Sequence, residues 1–181
     1  MPASAEANGP HSIAFEEIQA FRQWWLLLPL AIAAIAAWSM FLTQVAFSQP
    51  VGTNPASDVV LWIVLAVAGI LLPGLMLSVR MRTTVDADAV TIRYRPFTTR
   101  RLRLAEIEHA AAVTYHPILD YGGWGLRWSL KGWCYSVSGN RGVLVTLRDG
   151  KQVMIGSRRA EELARAMATM RPTMPGVRSA A

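Results

Sequence analysis

The sequence predicts an α+β membrane protein: a hairpin of two transmembrane helices, then a bent antiparallel β-sandwich or barrel of about seven strands, closed by a C-terminal helix. Three observations lead there. Two long stretches, Trp24–Phe47 and Val59–Val79, contain no charged residue. From Thr83 onward apolar residues recur at every second position, the period of a half-buried strand. Near the end, Ala160, Leu163, Met167 and Met170 return to helical spacing and form an apolar stripe. Only 17% of the 181 residues are charged and 52% are hydrophobic, whereas an average soluble domain carries about 25% charge. The implied organisation is an N-terminal tail and interfacial segment over 1–23, a hairpin over 24–80 (spans 24–47 and 59–79), a cytoplasmic domain over 81–171 and a flexible tail over 172–181.

Each element has a physical reason. The two apolar runs exceed the roughly 20 residues needed to cross a hydrocarbon core, and neither has the polar face of a soluble helix. Pro29 and Pro73 lie inside them; spanning helices tolerate proline, so local kinks are expected. The link Ser48–Asp58 (SQPVGTNPASD) is rich in turn formers, and its brevity makes the helices antiparallel. A cleaved signal peptide is disfavoured, because Glu6, Glu16 and Glu17 outnumber Arg22 ahead of the first run and a signal needs a positive start. Residues 80–181 hold 17 Lys and Arg against eight Asp and Glu, and the link holds no Lys or Arg. The positive-inside rule then places both the N-terminus and the C-terminal domain in the cytoplasm, with a multi-pass anchor in the inner (cytoplasmic) membrane. The net charge of +6 is thereby a topology signal; membrane lipids are the expected partner and nucleic acid is not.

Met1–His11 is expected to be mobile. Ile13–Trp25 (IAFEEIQAFRQWW) is expected as an amphipathic interfacial segment with Phe15, Ile18, Phe21 or Arg22, and Trp25 at helical spacing. Trp24 and Trp25 suit headgroup depth, and Trp38 and Trp62 add large surfaces within the spans. Among the small residues, Ala33, Ala37, Ala66, Gly69 and Gly74 permit close helix approach, to a partner or within the hairpin.

The cytoplasmic part reads as seven strands. They are Ala89–Arg95, Arg100–Leu104 after a turn at Pro96–Thr99, Ala111–Tyr115 after a helical turn at Ala105–Ile107, Leu126–Leu130, Trp133–Val137, Val143–Leu147, and Val153–Ile155 after the Asp149–Gly150 turn. Ser157 is a candidate N-cap for the final helix, and Pro172 should stop it. This order resembles the pleckstrin-homology-like (PH-like) fold. The strings YGGWGLR (Tyr121–Arg127), SGNRG (Ser138–Gly142), LRDGKQVMIG (Leu147–Gly156) and RAEEL (Arg159–Leu163) are similar to those of an uncharacterised prokaryotic membrane-protein family with two spans and a bacterial PH-like domain. The resemblance covers roughly residues 14–171. It implies fold and topology and supplies no activity or catalytic residue.

Chemistry-bearing patterns are sparse. YGGWG fits neither a dinucleotide-binding loop nor a P-loop; it is better read as a bend or bulge capped by Trp124, with Arg127 beside it. SGNRG reads as a hairpin turn with Gly139 or Asn140 at positive φ, leaving Arg141 at the tip, solvated or holding a phosphate. His109 and His116 make no metal pair, and Cys134 alternates as an inert thiol. No catalytic residue, cofactor, metal or small-molecule substrate is assigned, and the protein is not expected to be an enzyme. Two functions remain. The first is a scaffold or accessory subunit of a larger integral-membrane assembly, such as a respiratory or photosynthetic complex, bound through protein–protein interaction. The second is a membrane-surface module for lipid or peptide, using Arg100, Arg101 and Arg103 near the first strand turn.

Overall fold

The computed structural model describes residues 13–170. The expected mobile Met1–His11, the helix stop at Pro172 and the tail beyond it lie outside these residues. The chain forms two compact units, Ala20–Val79 and the segments on either side of it.

The first unit is the hairpin. Helix α1 (Trp24–Ala46) and helix α2 (Asp58–Ser78) have 23 and 21 residues and are long and apolar enough to cross a membrane. Their buried residues are Ala37, Leu61 and Leu65. Both helices run on past their prolines, as expected. The last five residues of α1, Leu42–Ala46, and the segment Leu65–Leu71 of α2 have π-type bonding, and the second directly precedes Leu72-Pro73. Proline has no N–H for the carbonyl four residues back, which is that of Gly69. The Trp38 indole donates to this carbonyl at 3.3 Å. A Cβ at Gly69 would lie 3.3 Å from Trp38 Nε1 and 2.9 Å from Leu65 Cδ1. Ala37 and Gly69 therefore pack the hairpin on itself, whereas Ala33 and Ala66 are exposed.

The second unit holds nine strands in two sheets, α+β with a C-terminal helix. A four-stranded sheet has the order β1-β2-β3-β4, made of β1 (Phe15–Ala20), β2 (Arg80–Val85), β3 (Ala89–Arg95) and β4 (Thr98–Arg103). A 3₁₀ turn at Leu104–Glu106, as expected, leads to β5 (Ile107–Thr114). The short helix α3 (Pro117–Tyr121) precedes β6 (Gly125–Ser129), β7 (Gly132–Ser136), β8 (Arg141–Leu147) and β9 (Gln152–Gly156). These form a five-stranded sheet of order β5-β8-β9-β7-β6. Helix α4 (Ala160–Met170) buries Ala160, Leu163 and Met167. Between the layers lie fully buried Met81, Val85, Val90, Ile92, Val143, Val145, Val153 and Ile155.

Four expectations are corrected. The segment expected at the interface with helical spacing is strand β1 over Phe15–Ala20, whose buried residues alternate as Phe15, Glu17 and Gln19. Helical spacing of Phe15, Ile18 and Phe21 misled because two of the three inward residues of β1, Glu17 and Gln19, are polar. The strands number nine, since β1 and β2 join the seven that alternation exposes. The pairing is also not wholly antiparallel: β7 lies parallel to β9, with Tyr135 opposite Ile155. SGNRG is therefore no hairpin between paired strands, because the end of β9 lies between β7 and β8. A Cβ at Gly156 would come within 2.8 Å of Ser136, and one at Gly142 within 2.5 Å of the Ile155 carbonyl, so glycine fills both crossing points.

Candidate functional site

The polar inward face of β1 clamps the corner where β9 meets α4. Glu17 accepts from the Ser157 hydroxyl at 2.5 Å and the Arg158 N–H at 3.0 Å. The Gln19 amide donates to the Gly156 carbonyl at 2.9 Å. Ser157 also accepts from the Arg159 N–H at 3.0 Å, capping the turn just ahead of α4. The Arg159 guanidinium sits 4.9 Å from the Phe15 ring centroid. Glu17, Gln19 and Ser157 are buried and, apart from Gln19 Oε1, spend their polar atoms on this corner, so their role is closure of the fold.

The outward face of the same sheet is basic. In the register, Arg80 faces Arg95 and Arg82 faces Arg93, while Thr91 faces Arg101 and Ala89 faces Arg103. Directly paired residues share a face, so six arginines occupy one surface. Two shallow depressions of about 330 and 190 Å³ run along it. Nearby acids are few. Glu16 pairs with Arg82 at 2.8 Å, and Glu106 reaches Arg103 only at 3.9 Å. Asp86 accepts from its own turn, from the N–H groups of Asp88 and Ala89.

The expected cluster Arg100, Arg101 and Arg103 is split by the pleat. Arg101 and Arg103 belong to this basic face. Arg100 faces Ile92, shares the inner face with Leu102, and donates to the Tyr135 hydroxyl at 3.4 Å. All three lie on β4, directly after the turn at Pro96–Phe97 that joins it to β3.

The two unusual strings meet in space. Gly122 and Gly123 close α3, their N–H groups bonding to the carbonyls of Ile118 and Pro117 at 2.9 Å each. Gly122 takes the left-handed conformation, φ 72°, that favours glycine at a helix C-terminus. The Trp124 indole then donates to the Gly139 carbonyl at 2.7 Å, fixing YGGWG to SGNRG. Gly139 is the residue there at positive φ, 78°. Arg127 is exposed and donates to the Trp124 carbonyl at 3.4 Å. Arg141 forms an ion pair with Glu161 of α4, so its charge already has a partner in the fold.

An apolar surface that sequence reading missed lies on β6 and β7, on the face opposite to the one α3 covers. Trp128 and Trp133 are cross-strand partners and are 66% and 39% exposed. Leu130, at the tip between the strands, is 100% exposed, and Leu119 of α3 is 84% exposed. Lys131 ties the tip to α3 by a 2.6 Å ion pair to Asp120. That pair and the His116 N–H hold the Asp120 carboxyl below its usual range. Alternation alone made Trp128 and Trp133 look like core; β6 is an edge strand, and its outer end has no covering layer.

Beneath α3, Tyr115, Tyr121, Cys134 and Met154 form a closed cluster. Burial pushes the Tyr115 and Tyr121 phenols up to about 12 and the Cys134 thiol up to about 11, which leaves all three neutral and unreactive at physiological pH. His109 and His116 are exposed. Among the described residues no three His, Cys, Asp or Glu side chains gather to hold a metal ion. In the hairpin, Trp24, Trp25, Trp38 and Trp62 are exposed, and Trp62 packs edge-on against Phe41 at 4.5 Å.

Fold and surfaces together define an α+β protein whose sequence carries two long apolar helices between the first two strands of its four-stranded sheet. A family model described as "Family of unknown function (DUF6141)" matches residues 8–173, and the chain belongs to that family. No curated protein matches the chain.

Proposed function

We propose that the protein is a non-catalytic, membrane-anchored docking subunit of a larger integral-membrane assembly. On this reading α1 and α2 span the cytoplasmic membrane, residues 47–57 face outward, and the β unit lies in the cytoplasm. One support is independent of charge. Strands β1 and β2 are neighbours in one sheet yet flank the hairpin in sequence, so the chain must return to the side it left. The arginine excess makes that side cytoplasmic.

The β unit is read as a PH-like domain. With α3, β6 and β7 set aside as an insertion, seven strands remain: the meander β1–β4 and the antiparallel trio β5-β8-β9, followed by α4.

The observation that carries the docking role is the apolar surface on that insertion. Scattered exposed apolar residues are ordinary. Here two cross-strand tryptophans share one sheet face next to the fully exposed Leu130 at the strand tip, and aromatic side chains dominate protein-binding hot spots. The test is a photo-crosslinking residue at Leu130 of the full chain in native membranes. One discrete protein adduct, weakened by Trp128→Ala, is expected; its absence with an intact, membrane-inserted protein sinks the docking role. Topology is tested separately, with Thr53→Cys labelled from outside and Glu108→Cys protected. Ser157 is unsuited to labelling because it is 2% exposed.

A further inference from the structure

We infer that the arginine face of the four-stranded sheet docks on the anionic headgroups of the bilayer in which the hairpin sits. The inference rests on the membrane-anchored reading above. Its own ground is the placement of charge. Arg80, Arg82, Arg93, Arg95, Arg101 and Arg103 share one sheet face, and Glu16 and Glu106 are the acids within ion-pair range of it among the described residues. Arg80 directly opposite Arg95, and Arg82 opposite Arg93, are like-charge pairs that disfavour the sheet. A surface of phosphates relieves that repulsion, and guanidinium forks match phosphate oxygens two at a time.

Covalent continuity supplies the direction. Only Val79 separates the last residue of α2 from Arg80, so the rung Arg80–Arg95 lies at the end of the sheet that joins the hairpin. Strands rise about 3.3 Å per residue. The rung Arg82–Arg93 is then about 7 Å further on and that of Arg101 about 13 Å, against a screening length of about 8 Å at physiological salt. The face therefore works as a graded electrostatic contact, strongest at Arg80 and Arg95 and weakest at Arg103. The outward-facing Ile18 lines the depression with Arg80 and Arg95 and gives this end an apolar component.

The test uses the full chain in nanodiscs with rising fractions of phosphatidylglycerol in phosphatidylcholine. Thr99, exposed on this face opposite Arg93, is replaced by Cys and carries an environment-sensitive fluorophore; the native Cys134 is buried and stays unlabelled. The expected result is a blue shift that grows with phosphatidylglycerol and reverses in 0.5 M salt, roughly a screening length of 4 Å. Arg80→Gln with Arg95→Gln should reduce the docked-to-undocked ratio by about 25-fold, near fivefold per charge at an anionic surface. Arg101→Gln with Arg103→Gln should reduce it less. An unchanged emission across lipid compositions overturns the inference, as does equal docking by the Arg80/Arg95 variant. So does a fluorophore shielded in native membranes but not in nanodiscs, which would assign the face to a protein. Alkaline carbonate extraction separates the two levels of argument: release of the chain refutes the membrane anchor itself, whereas retention without a lipid-dependent shift refutes only the headgroup contact. Circular dichroism of each variant confirms that the fold is retained.

Discussion

The exposed face of the first sheet and the exposed end of the second are built from opposite materials. The first carries arginines over a core of Met81, Val85, Val90 and Ile92; the second carries Trp128, Trp133 and Leu130 beyond the reach of any covering layer. In the first sheet, outward charge and inward apolarity follow the two-residue period directly. In the second, the same period continues into a strand pair that outruns its neighbours, so side chains patterned like core stand in the open. Alternation thus identifies which face a residue shares, while burial depends on whether another layer covers that face. The contrast gives one β unit two chemically distinct surfaces.

The second sheet is expected to be the less forgiving to change. A Cβ at Gly132 would lie 2.1 Å from the Gln152 carbonyl, at φ 103°. Gly132→Ala should therefore separate β7 from β9 and cost about 3 kcal/mol or more, the upper range of overpacking penalties, read from urea unfolding of the detergent-solubilised chain. A loss under 1 kcal/mol would show that this strand crossing is loose. Cys134 reports on the same sheet. With its thiol raised from 9 to about 11, its thiolate fraction near pH 8 falls about a hundredfold relative to an ordinary thiol. A thiol reagent should modify it only after unfolding; rapid modification of the native chain would mean that α3 does not seal the cluster.

In the first sheet the inner and outer faces of β1 should respond differently. Glu17→Ala strips the Ser157 hydroxyl and Arg158 N–H of their acceptor and should cost about 2 kcal/mol, as for buried hydrogen bonds to a charged group. Glu16→Ala breaks a pair whose side chains are 42% and 35% exposed and should cost under about 1 kcal/mol. Equal losses in thermal unfolding would erase the distinction. The smallest expected effect has the opposite sign. Without anionic lipid, Arg95→Thr removes a charge facing Arg80 and should stabilise the sheet by about 0.5 kcal/mol; a clear loss would mean that the arginines serve the fold itself.

Much of this was legible in the chain. The two apolar helices, the seven strands from Ala89 onward, the 3₁₀ turn and the α4 stripe all follow from hydrophobic spacing. Strand β1 was hidden because its inward positions hold Glu17 and Gln19 while Ile18 points out, the inverse of an ordinary half-buried strand. Strand β2 was hidden by the polar Thr83, buried at 1% exposure. Without β2 the register of Arg80 and Arg82 against Arg93 and Arg95 is invisible, and the arginines read only as charge near the hairpin. Arg100 was grouped with Arg101 and Arg103 by sequence proximity, which a pleat divides. No local signal announced that Glu17 would meet Ser157, since the bond joins residues 140 apart.

That separation also sets a timetable. Strand β1 leaves the ribosome first, but its sheet neighbour β2 follows only after the entire hairpin, and Ser157 follows later still. At about 5–20 residues per second, roughly 7–28 s pass between synthesis of Glu17 and synthesis of its hydrogen-bond donor. Until β2 is made the first strand lacks its ladder, and until Ser157 is made Glu17 lacks its buried partner. The β unit consequently closes last, and its maturation is governed by completion of the chain.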